Sequence, residues 1–459
     1  MSGRAGAAVM RGRRAQTSSK SLESGPLAPD EPALECAHEF ARVQAPKDDS
    51  LPVLERFVSS TPLSFSQRAL AMLTGLLMAL PLWTHYMIGG HLSSDDGGKY
   101  TYAATLLALV FPILAFLRNA TMNGIIIRGM LEFLLILIGA LILSIVINIT
   151  HYSYTDLMTC SVRITALVMF VTLITAIEMN VQARRILRMV LLATACSLAL
   201  LFVFASIVTP VWHWGRFAPN DMQPNWWGEV LFVVVFGGAF TSKMVLRYGL
   251  WALALVGLIL VQSRGSLLAA VLLITVVTLA GMRSRSVIAI AVACTIGVML
   301  DVFVFETRLS SAAQNFVAED VLLLNSPYRG LGTGASGRDI AVAFALELVI
   351  EHPLAGVGFG RSGASEVRGM SIESLDNGYL ALLAELGAPL FAIPAITIVG
   401  AAWLSVARKD WPILGMIFGF MFSFLVWSPR AINMSLPTML FWAFVARSWI
   451  LPLRSRHHR

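Results

Sequence analysis

The residues best suited to chemistry lie along one polar part of an otherwise apolar chain. Arg264, Arg338 and Arg361 are arginines next to glycines, and Asp376 is a carboxylate directly before Asn377. A planar guanidinium binds phosphate oxygens through paired hydrogen bonds, and a carboxylate can take a proton from an attacking hydroxyl. These residue types suit a reaction in which a phosphate-bearing group leaves and a hydroxyl attacks.

Each arginine also has a structural alternative. Arg264, at the end of an apolar segment, could be an arginine that snorkels to the membrane interface. Arg338 follows the glycine-rich stretch 330–337 and could be a solvated residue in the first turn of a surface helix, where a cation is slightly unfavourable. Arg361 is better explained as a solvated loop arginine, although we retain it as a candidate substrate-binding residue.

The candidate base has alternatives of the same kind. Asp376 precedes Asn-Gly at the start of an apolar segment, so it could equally cap a helix or form a turn. If the helix starts there, Tyr379, Leu380, Leu383 and Gly387 share the face of Asp376 and form a stripe packed against other helices. We expect Tyr379, at the head of this stripe, to contact substrate. Further candidate bases are Glu373, Asp339 and His352, and His352 before a proline fits a helix end better.

Composition decides what kind of molecule positions these residues. The 459 residues are 57% hydrophobic and only 13% charged, with a mean hydropathy of +0.73. The apolar runs are continuous rather than alternating, which predicts membrane helices and not a barrel. The net charge of +7 comes from basic residues spread along loops. Because the basic residues do not cluster on one face, we expect no nucleic-acid partner. We expect the chain to be surrounded by membrane lipids.

We predict an all-α, polytopic integral membrane protein of about twelve spans, because about 20 apolar residues cross a hydrocarbon core of about 30 Å. The predicted spans are 68–88, 101–117, 129–149, 161–179, 189–210, 228–242, 245–262, 266–282, 287–304, 378–405, 411–427 and 432–451. Lys and Arg concentrate in alternate loops, and this bias predicts that both termini are cytoplasmic. The polar insert after the ninth span then lies on the outer side.

Five regions follow from this topology. Residues 1–60 lack an apolar stretch long enough for a signal peptide, and we expect them to form a disordered cytoplasmic tail. The four cysteines, Cys36, Cys160, Cys196 and Cys294, have no paired spacing, so neither zinc nor a structural disulfide is expected. The other regions are spans one to nine (61–305), a periplasmic loop domain (306–375), spans ten to twelve (376–453) and a short cytoplasmic tail (454–459).

An aromatic outer loop precedes the sixth span. It runs from Trp212 to Trp227 and includes Arg216, Asn225 and Trp226. An aromatic belt at the membrane interface explains most such tryptophans. Indole rings also stack on the apolar faces of sugars while amides and guanidinium groups bind hydroxyls, so Arg216, Asn225 and Trp226 are candidate substrate-binding residues.

Three stretches carry a resemblance to a known family. The first is Val-Gln-Ser-Arg-Gly-Ser at 261–266, and the second begins with Ser-Gly-Arg-Asp at 336–339 and ends in the His-Pro-Leu-Ala-Gly-Val-Gly-Phe-Gly stretch at 352–360. The third is Asp376-Asn377, with Gly387 eleven residues after Asp376. In this order and topology they resemble the bacterial O-antigen ligase and Wzy-type polysaccharide polymerase superfamily, which includes exopolysaccharide polymerases. The ligases carry a histidine where this chain has Asp376.

The resemblance implies an inverting, metal-independent glycosyltransferase of the membrane GT-C type that needs no cofactor. Its donor would be an oligosaccharide on undecaprenyl diphosphate, used at the periplasmic face of a bacterial inner (plasma) membrane. Arg264 and Arg338 would bind the diphosphate and Asp376 would be the catalytic base. A flippase and a chain-length regulator are the protein partners that such a pathway of exopolysaccharide or lipopolysaccharide biosynthesis implies.

Three functions compete on this basis. Polymerisation of lipid-linked repeat units leads, because the histidine of the ligases is missing. Ligation of finished O-antigen to lipid A core uses the same donor and the same membrane face. A flippase or transporter would more often show repeated halves and ionisable residues deep in its spans, whereas Glu132, Arg163 and Asp301 lie towards predicted span ends.

One motif is a false lead. The stretch 358–363 matches the dinucleotide-binding pattern G-x-G-x-x-G. We expect no strand before it and no βαβ unit around it, so the pattern has no nucleotide-binding scaffold here.

Overall fold

A computed structural model describes the protein over residues 62–87, 96–121, 123–213, 216–221, 224–281, 338–360, 378–426 and 435–451. The predicted ninth span, the N-terminal and C-terminal tails, and Arg361, Glu373 and Asp376 lie outside these ranges.

The described ranges are almost entirely helical. The α-helices are α1 (Phe65–Met87), α2 (Asp96–Arg118), α3 (Gly124–Ile147), α4 (Tyr154–Glu178), α5 (Ala183–Val208), α6 (Pro224–Ala239), α7 (Met244–Val261), α8 (Arg264–Gly281), α9 (Arg338–Glu351), α10 (Gly378–Arg408), α11 (Trp411–Val426) and α12 (Leu436–Ile450). Short 3-10 turns occupy Ile149–His151 and Pro219–Asp221. The predicted all-helical, multi-pass membrane fold is confirmed.

The helices differ in how fully they meet the length of a span. Six of those described are long and apolar enough to cross a membrane: α1, α3, α4, α5, α7 and α10. The apolar parts of α2, α6, α8, α11 and α12 are shorter than expected. Many large apolar side chains still face outward, including Leu107, Leu135 and Ile207, each more than 70% exposed. Such a surface is suited to lipid and not to water.

Local sequence explains where the helices α3 and α4 start. Asn123 caps α3 by accepting a hydrogen bond from the backbone N–H of Ile125. Ser153 and Asp156 form a reciprocal capping box at the start of α4, each side chain bonding the other residue's backbone N–H. Because α4 begins at Tyr154 and not near 161, Arg163 lies deeper in its helix than the sequence predicted.

The bundle is built around α12, whose residues are almost all buried. This helix packs against α3, α4 and α10, while α8 packs against α6 and α11, and α5 joins α1 to α6. Glycines allow close approach here: a Cβ on Gly419 of α11 would lie 3.0 Å from the carbonyl oxygen of Ala269 in α8. Small residues at helix contacts are typical of membrane proteins.

We name the two ends of the bundle by its helices. The motif end is where α4, α6, α8 and α10 begin, and the opposite end is where they finish. A two-residue antiparallel ladder at the motif end pairs Trp212–His213 (β1) with Arg216–Phe217 (β2). At the opposite end, Arg447 of α12 binds Glu178 at 2.5 Å and Asp410 at 2.6 Å. These bonds join α4, α12 and the α10–α11 connection.

Candidate active site

The first part of the site is the turn between α7 and α8. Gln262 adopts a left-handed conformation (φ 54°, ψ 38°), and Ser263 leads into α8, which begins at Arg264. Gly265 in this motif suits either a tight turn or a close helix approach. It is the second residue of α8, so the left-handed residue of the turn is Gln262 and not Gly265.

This turn is pressed against the start of α6. A Cβ on Gly228 would lie 2.2 Å from Ser263 Oγ and 2.8 Å from Ser266 Oγ, so only glycine allows this approach. Ser263 and Ser266 are each 1% exposed, and the Ser263 hydroxyl donates to that of Ser266 at 3.1 Å. The Ser-Arg-Gly turn is therefore fixed by packing, and it holds the backbone of Arg264 at the motif end.

The aromatic loop is anchored next to this turn. Trp227 is fully buried, its indole N–H donates to the carbonyl of Pro219 at 3.0 Å, and its ring meets Phe202 edge-to-face. Trp227 is thus a core residue and not part of an interfacial belt. Trp226 is half-buried and contacts Trp227 edge-to-face at 5.0 Å. Trp226 is therefore the tryptophan of this pair that remains partly accessible.

The two predicted phosphate-binding arginines occupy equivalent backbone positions. Arg264 is the first residue of α8 and Arg338 is the first residue of α9. A helix N-terminus presents free N–H groups and a partial positive charge, so a cation there costs roughly 0.3–1 kcal/mol. The same combination of amides and guanidinium is favourable when an anion binds.

The second part of the site is the glycine-rich loop 353–360, which follows α9. Its glycines at 356, 358 and 360 have φ values of 62°, 109° and 74°. The helix before it, α9, ends at Glu351, and exposed His352 closes it through an N–H bond to Leu348, as predicted. Because a helix and not a strand precedes the loop, the dinucleotide-binding interpretation is excluded, as the sequence indicated.

This loop docks on the first turns of α10. The N–H groups of Val357 and Gly358 donate to the carbonyls of Ala384 and Glu385 at 3.0 and 3.1 Å. Gly387 has φ 71° and ψ 166°, a conformation nearly restricted to glycine, and a Cβ there would lie 2.6 Å from the N of Gly356. Gly387 therefore breaks the helical stripe below Asp376 that the sequence predicted, because it admits the loop.

Side chains of α3, of α4 and of the connection between them hold the other side of the loop. Ser144 Oγ lies 3.0 Å from the carbonyl of Ala355 and accepts from the N–H of Phe359 at 3.1 Å. The Tyr152 hydroxyl donates to the carbonyl of Phe359 at 2.7 Å, and the Cys160 thiol donates to the same oxygen. Phe359 itself is fully buried. The loop is thus a fixed part of the bundle.

A buried ion pair lies under the end of this loop. Arg163 of α4 and Glu385 of α10 are 5% and 1% exposed, and their closest charged atoms are 3.9 Å apart. A Cβ on Gly360 would lie 3.6 Å from Arg163 Nη1. The sequence did not single out this pair as functional. Opposite charges inside two apolar segments were the available signal.

The remaining predicted residues are only partly placed. Arg216 lies in β2 and Asn225 in the first turn of α6, both known by backbone position. Tyr379 is the second residue of α10 and is partly buried against the core. Arg361 and Asp376 lie outside the described residues, directly after the fixed loop and two residues before α10. Among the residues described, no group of three His, Cys, Asp or Glu side chains is arranged to bind a metal.

The turn, the loop and the kink at Gly387 all fall in one continuous stretch of sequence. Residues 249–395 match the family model of the O-antigen ligases. This ligase-type segment runs from α7 to the middle of α10 and confirms the resemblance predicted from the sequence. No curated protein matches the chain. In the described part of the ligase-type segment, Gly356 and Gly387 contact each other in conformations that favour glycine.

Proposed function

We propose that the protein is a membrane glycosyltransferase that polymerises undecaprenyl-diphosphate-linked repeat units into O-antigen or exopolysaccharide. The observation that carries the proposal is the match of residues 249–395 to the O-antigen ligases, in a chain of membrane helices. The mechanism is inverting and metal-independent. The distribution of basic loops supports a reaction at the periplasmic face and termini that both lie in the cytoplasm.

The diphosphate leaving group is bound by Arg264 and Arg338. Negative charge on this group grows as the glycosidic bond breaks, so cationic donors stabilise the transition state more than the ground state. The positions of these arginines at the first residues of α8 and α9 support this role, since helix amides add to the positive potential. Arg361 follows Gly360 directly and supplements them.

The acceptor hydroxyl loses its proton to Asp376, at the position of the ligases' histidine. Its oxygen attacks the anomeric carbon of the donor sugar, and the bond from that carbon to the diphosphate oxygen breaks with its electron pair. Arg216, Asn225, Trp226 and Tyr379 contact the sugars. A flippase supplies the substrate, and a chain-length regulator sets the product length.

Ligation of finished polymer to lipid A core is the second candidate. The match of residues 249–395 to the O-antigen ligases favours ligation, whereas Asp376 in place of histidine favours polymerisation. A deletion strain separates the two reactions. Loss of a polymerase leaves single lipid-linked repeat units, and loss of a ligase leaves long chains still attached to undecaprenyl diphosphate.

Transport of the same lipid-linked sugar is the third candidate. The buried pair of Arg163 and Glu385 weakens the argument that charges avoid the span interiors. The deletion strain again decides. A missing flippase leaves repeat units protected on the cytoplasmic side, whereas a missing enzyme leaves them accessible to an impermeant probe in spheroplasts.

A further inference from the structure

One buried acidic residue near the Ser-Arg-Gly turn has no role in the site described so far. Glu229 is the only acidic residue of α6 and is 7% exposed. Within the described part of the chain, no hydrogen bond or ion pair involves its carboxyl group. An ionisable side chain without a partner inside an apolar helix is costly. Its burial there therefore indicates a partner that is not among the described residues.

The position of Glu229 points it towards the motif end. It follows Gly228, whose backbone touches the Ser263 and Ser266 hydroxyls on either side of Arg264. Side chains of a helix lean towards its N-terminus, and α6 begins at the motif end. The carboxyl group is therefore directed to the end at which the substrate diphosphate is proposed to bind.

On the face of α6 that carries Glu229, an indole lies towards the N-terminus of the helix and aromatic rings lie towards its C-terminus. Trp226, three residues before Glu229, is its neighbour on the helix surface, and Trp227 supports the Trp226 ring edge-to-face. Three residues after Glu229, Phe232 meets Phe420 of α11 at 4.9 Å. On the surface of α6, Glu229 thus lies between a partly accessible indole and a packed pair of aromatic rings.

We propose that Glu229 and Trp226 bind the sugar next to the diphosphate of the lipid-linked substrate. The carboxylate accepts hydrogen bonds from sugar hydroxyls, and the indole lies against the apolar face of the ring. This inference rests on the proposed function, and it adds a residue that determines which sugar is accepted.

Other ligands fit these residues less well. A carboxylate repels phosphate, so Glu229 does not contact the diphosphate itself. A divalent cation needs several oxygen or nitrogen ligands, and among the described residues Glu229 belongs to no group of three His, Cys, Asp or Glu side chains. A sugar ring is neutral, donates hydrogen bonds through its hydroxyls and has an apolar face, so it can bind both Glu229 and Trp226.

Binding of two probes to purified protein in detergent tests the inference. The probes are the lipid-linked repeat unit extracted from the deletion strain and undecaprenyl diphosphate without sugar. Glu229→Gln should weaken binding of the repeat unit about tenfold to a hundredfold, because a hydrogen bond to a charged acceptor is lost. Binding of undecaprenyl diphosphate should not weaken. Arg264→Ala should weaken binding of both probes.

The controls separate folding from binding. Glu132→Gln removes an exposed carboxyl at the opposite end, 57% exposed and paired with Arg128, and should change neither affinity. Glu229→Gln should retain the thermal midpoint of wild type or raise it, since an unpaired buried acid is removed. Trp226→Phe should retain more repeat-unit affinity than Trp226→Ala, because a ring remains to stack.

Each outcome decides between the proposals. If wild type binds neither probe, the proposed function fails. If wild type binds both and Glu229→Gln weakens both equally or neither, the sugar-binding role of Glu229 is wrong. Unchanged affinity of Glu229→Gln with lost turnover would also overturn it, by assigning the residue to the chemical step.

Discussion

The two ends of the bundle each bury an arginine, but the distance from that arginine to its carboxylate partner differs between them. At the opposite end, Arg447 makes charged hydrogen bonds of 2.5 and 2.6 Å to Glu178 and Asp410. At the motif end, Arg163 and Glu385 stand 3.9 Å apart, which is too long for a direct hydrogen bond between them.

The surroundings differ in the same sense. Arg408 adds bonds to the backbone carbonyls of Ser448 and Leu451, so side-chain charges hold the opposite end together. The motif end is held by backbone bonds, by hydrogen bonds of uncharged side chains such as Ser144 and Tyr152, and by the contact between Gly356 and Gly387. The comparison indicates that charge serves the fold at the opposite end, whereas packing serves it at the motif end. Changes at the two ends should therefore affect different quantities.

The largest expected effect is on stability, from the opposite end. Arg447→Ala leaves the Glu178 carboxylate, 8% exposed, and the partly buried Asp410 carboxylate without their shared cation, which should destabilise the protein by about 3–5 kcal/mol. Thermal inactivation in detergent measures it. Turnover per folded molecule should stay near wild type, and a selective loss of turnover with an unchanged midpoint would break the comparison.

Next in size is the effect of Asp376 on turnover. If Asp376 takes the acceptor proton, Asp376→Asn should lose roughly 10²–10⁴ in turnover while donor binding is kept. Asparagine caps a helix as well as aspartate does, so a capping role predicts full activity. Full activity would direct the search for the base to Glu373 or Asp339.

The third-largest effect is expected on the reaction rate, from the two arginines proposed to bind the diphosphate. Arg264→Ala and Arg338→Ala should each cost about 10²–10³ in rate, because a donor to the leaving group is lost. Lysine should restore activity only in part, since a point charge does not reproduce the paired donors. Arg184→Ala, at an exposed position of α5, is the matched control. Near-normal rates in both alanine variants would reduce these arginines to a topological role.

A smaller effect, on stability and activity together, is expected from Gly387→Ala. The added Cβ meets the backbone of Gly356 and Ala355 in a conformation that costs about 1–3 kcal/mol for other residues. Gly139→Ala in α3 is the control, because its Cβ meets nothing within 4 Å. The control should be neutral or slightly stabilising. Equal midpoints for the two variants would show that the loop does not depend on this kink.

The smallest expected effect is a difference between the coupling free energies of the two buried ion pairs. A double-mutant cycle should give about 2–3 kcal/mol for Arg447 with Glu178 and about 1 kcal/mol for Arg163 with Glu385, because a short charged hydrogen bond exceeds a longer ionic contact. Stability of the four variants in each cycle supplies both values. Equal coupling energies would remove the distinction between the two ends.

The sequence predicted the helices well because continuous apolar runs can only be helical in lipid. It also located the motif end, since glycines with an arginine or histidine mark places where backbone conformation matters. It did not predict that Trp227 is core while Trp226 is accessible, because both fit an interfacial belt. Only the contact with Pro219 and Phe202 separates these two tryptophans.

Other parts of the site depend on contacts between distant segments. Arg163 and Glu385 are more than two hundred residues apart, and nothing local to either one indicates the other. Gly228 looks like any glycine in an apolar helix until the turn at Ser263 is placed against it. Glu229 could have been found from the sequence, as a lone acid at the head of an apolar segment.

The central claim is that the motif end transfers glycan from a lipid diphosphate. Purified protein in detergent, given lipid-linked repeat units, tests it through release of undecaprenyl diphosphate together with lengthening of the glycan. Both products are expected from wild type and from Glu132→Gln, and both should form about 10²–10³ times more slowly with Arg264→Ala or Arg338→Ala at matched folded concentration. Folded wild-type protein that binds the repeat units and releases no undecaprenyl diphosphate would contradict it.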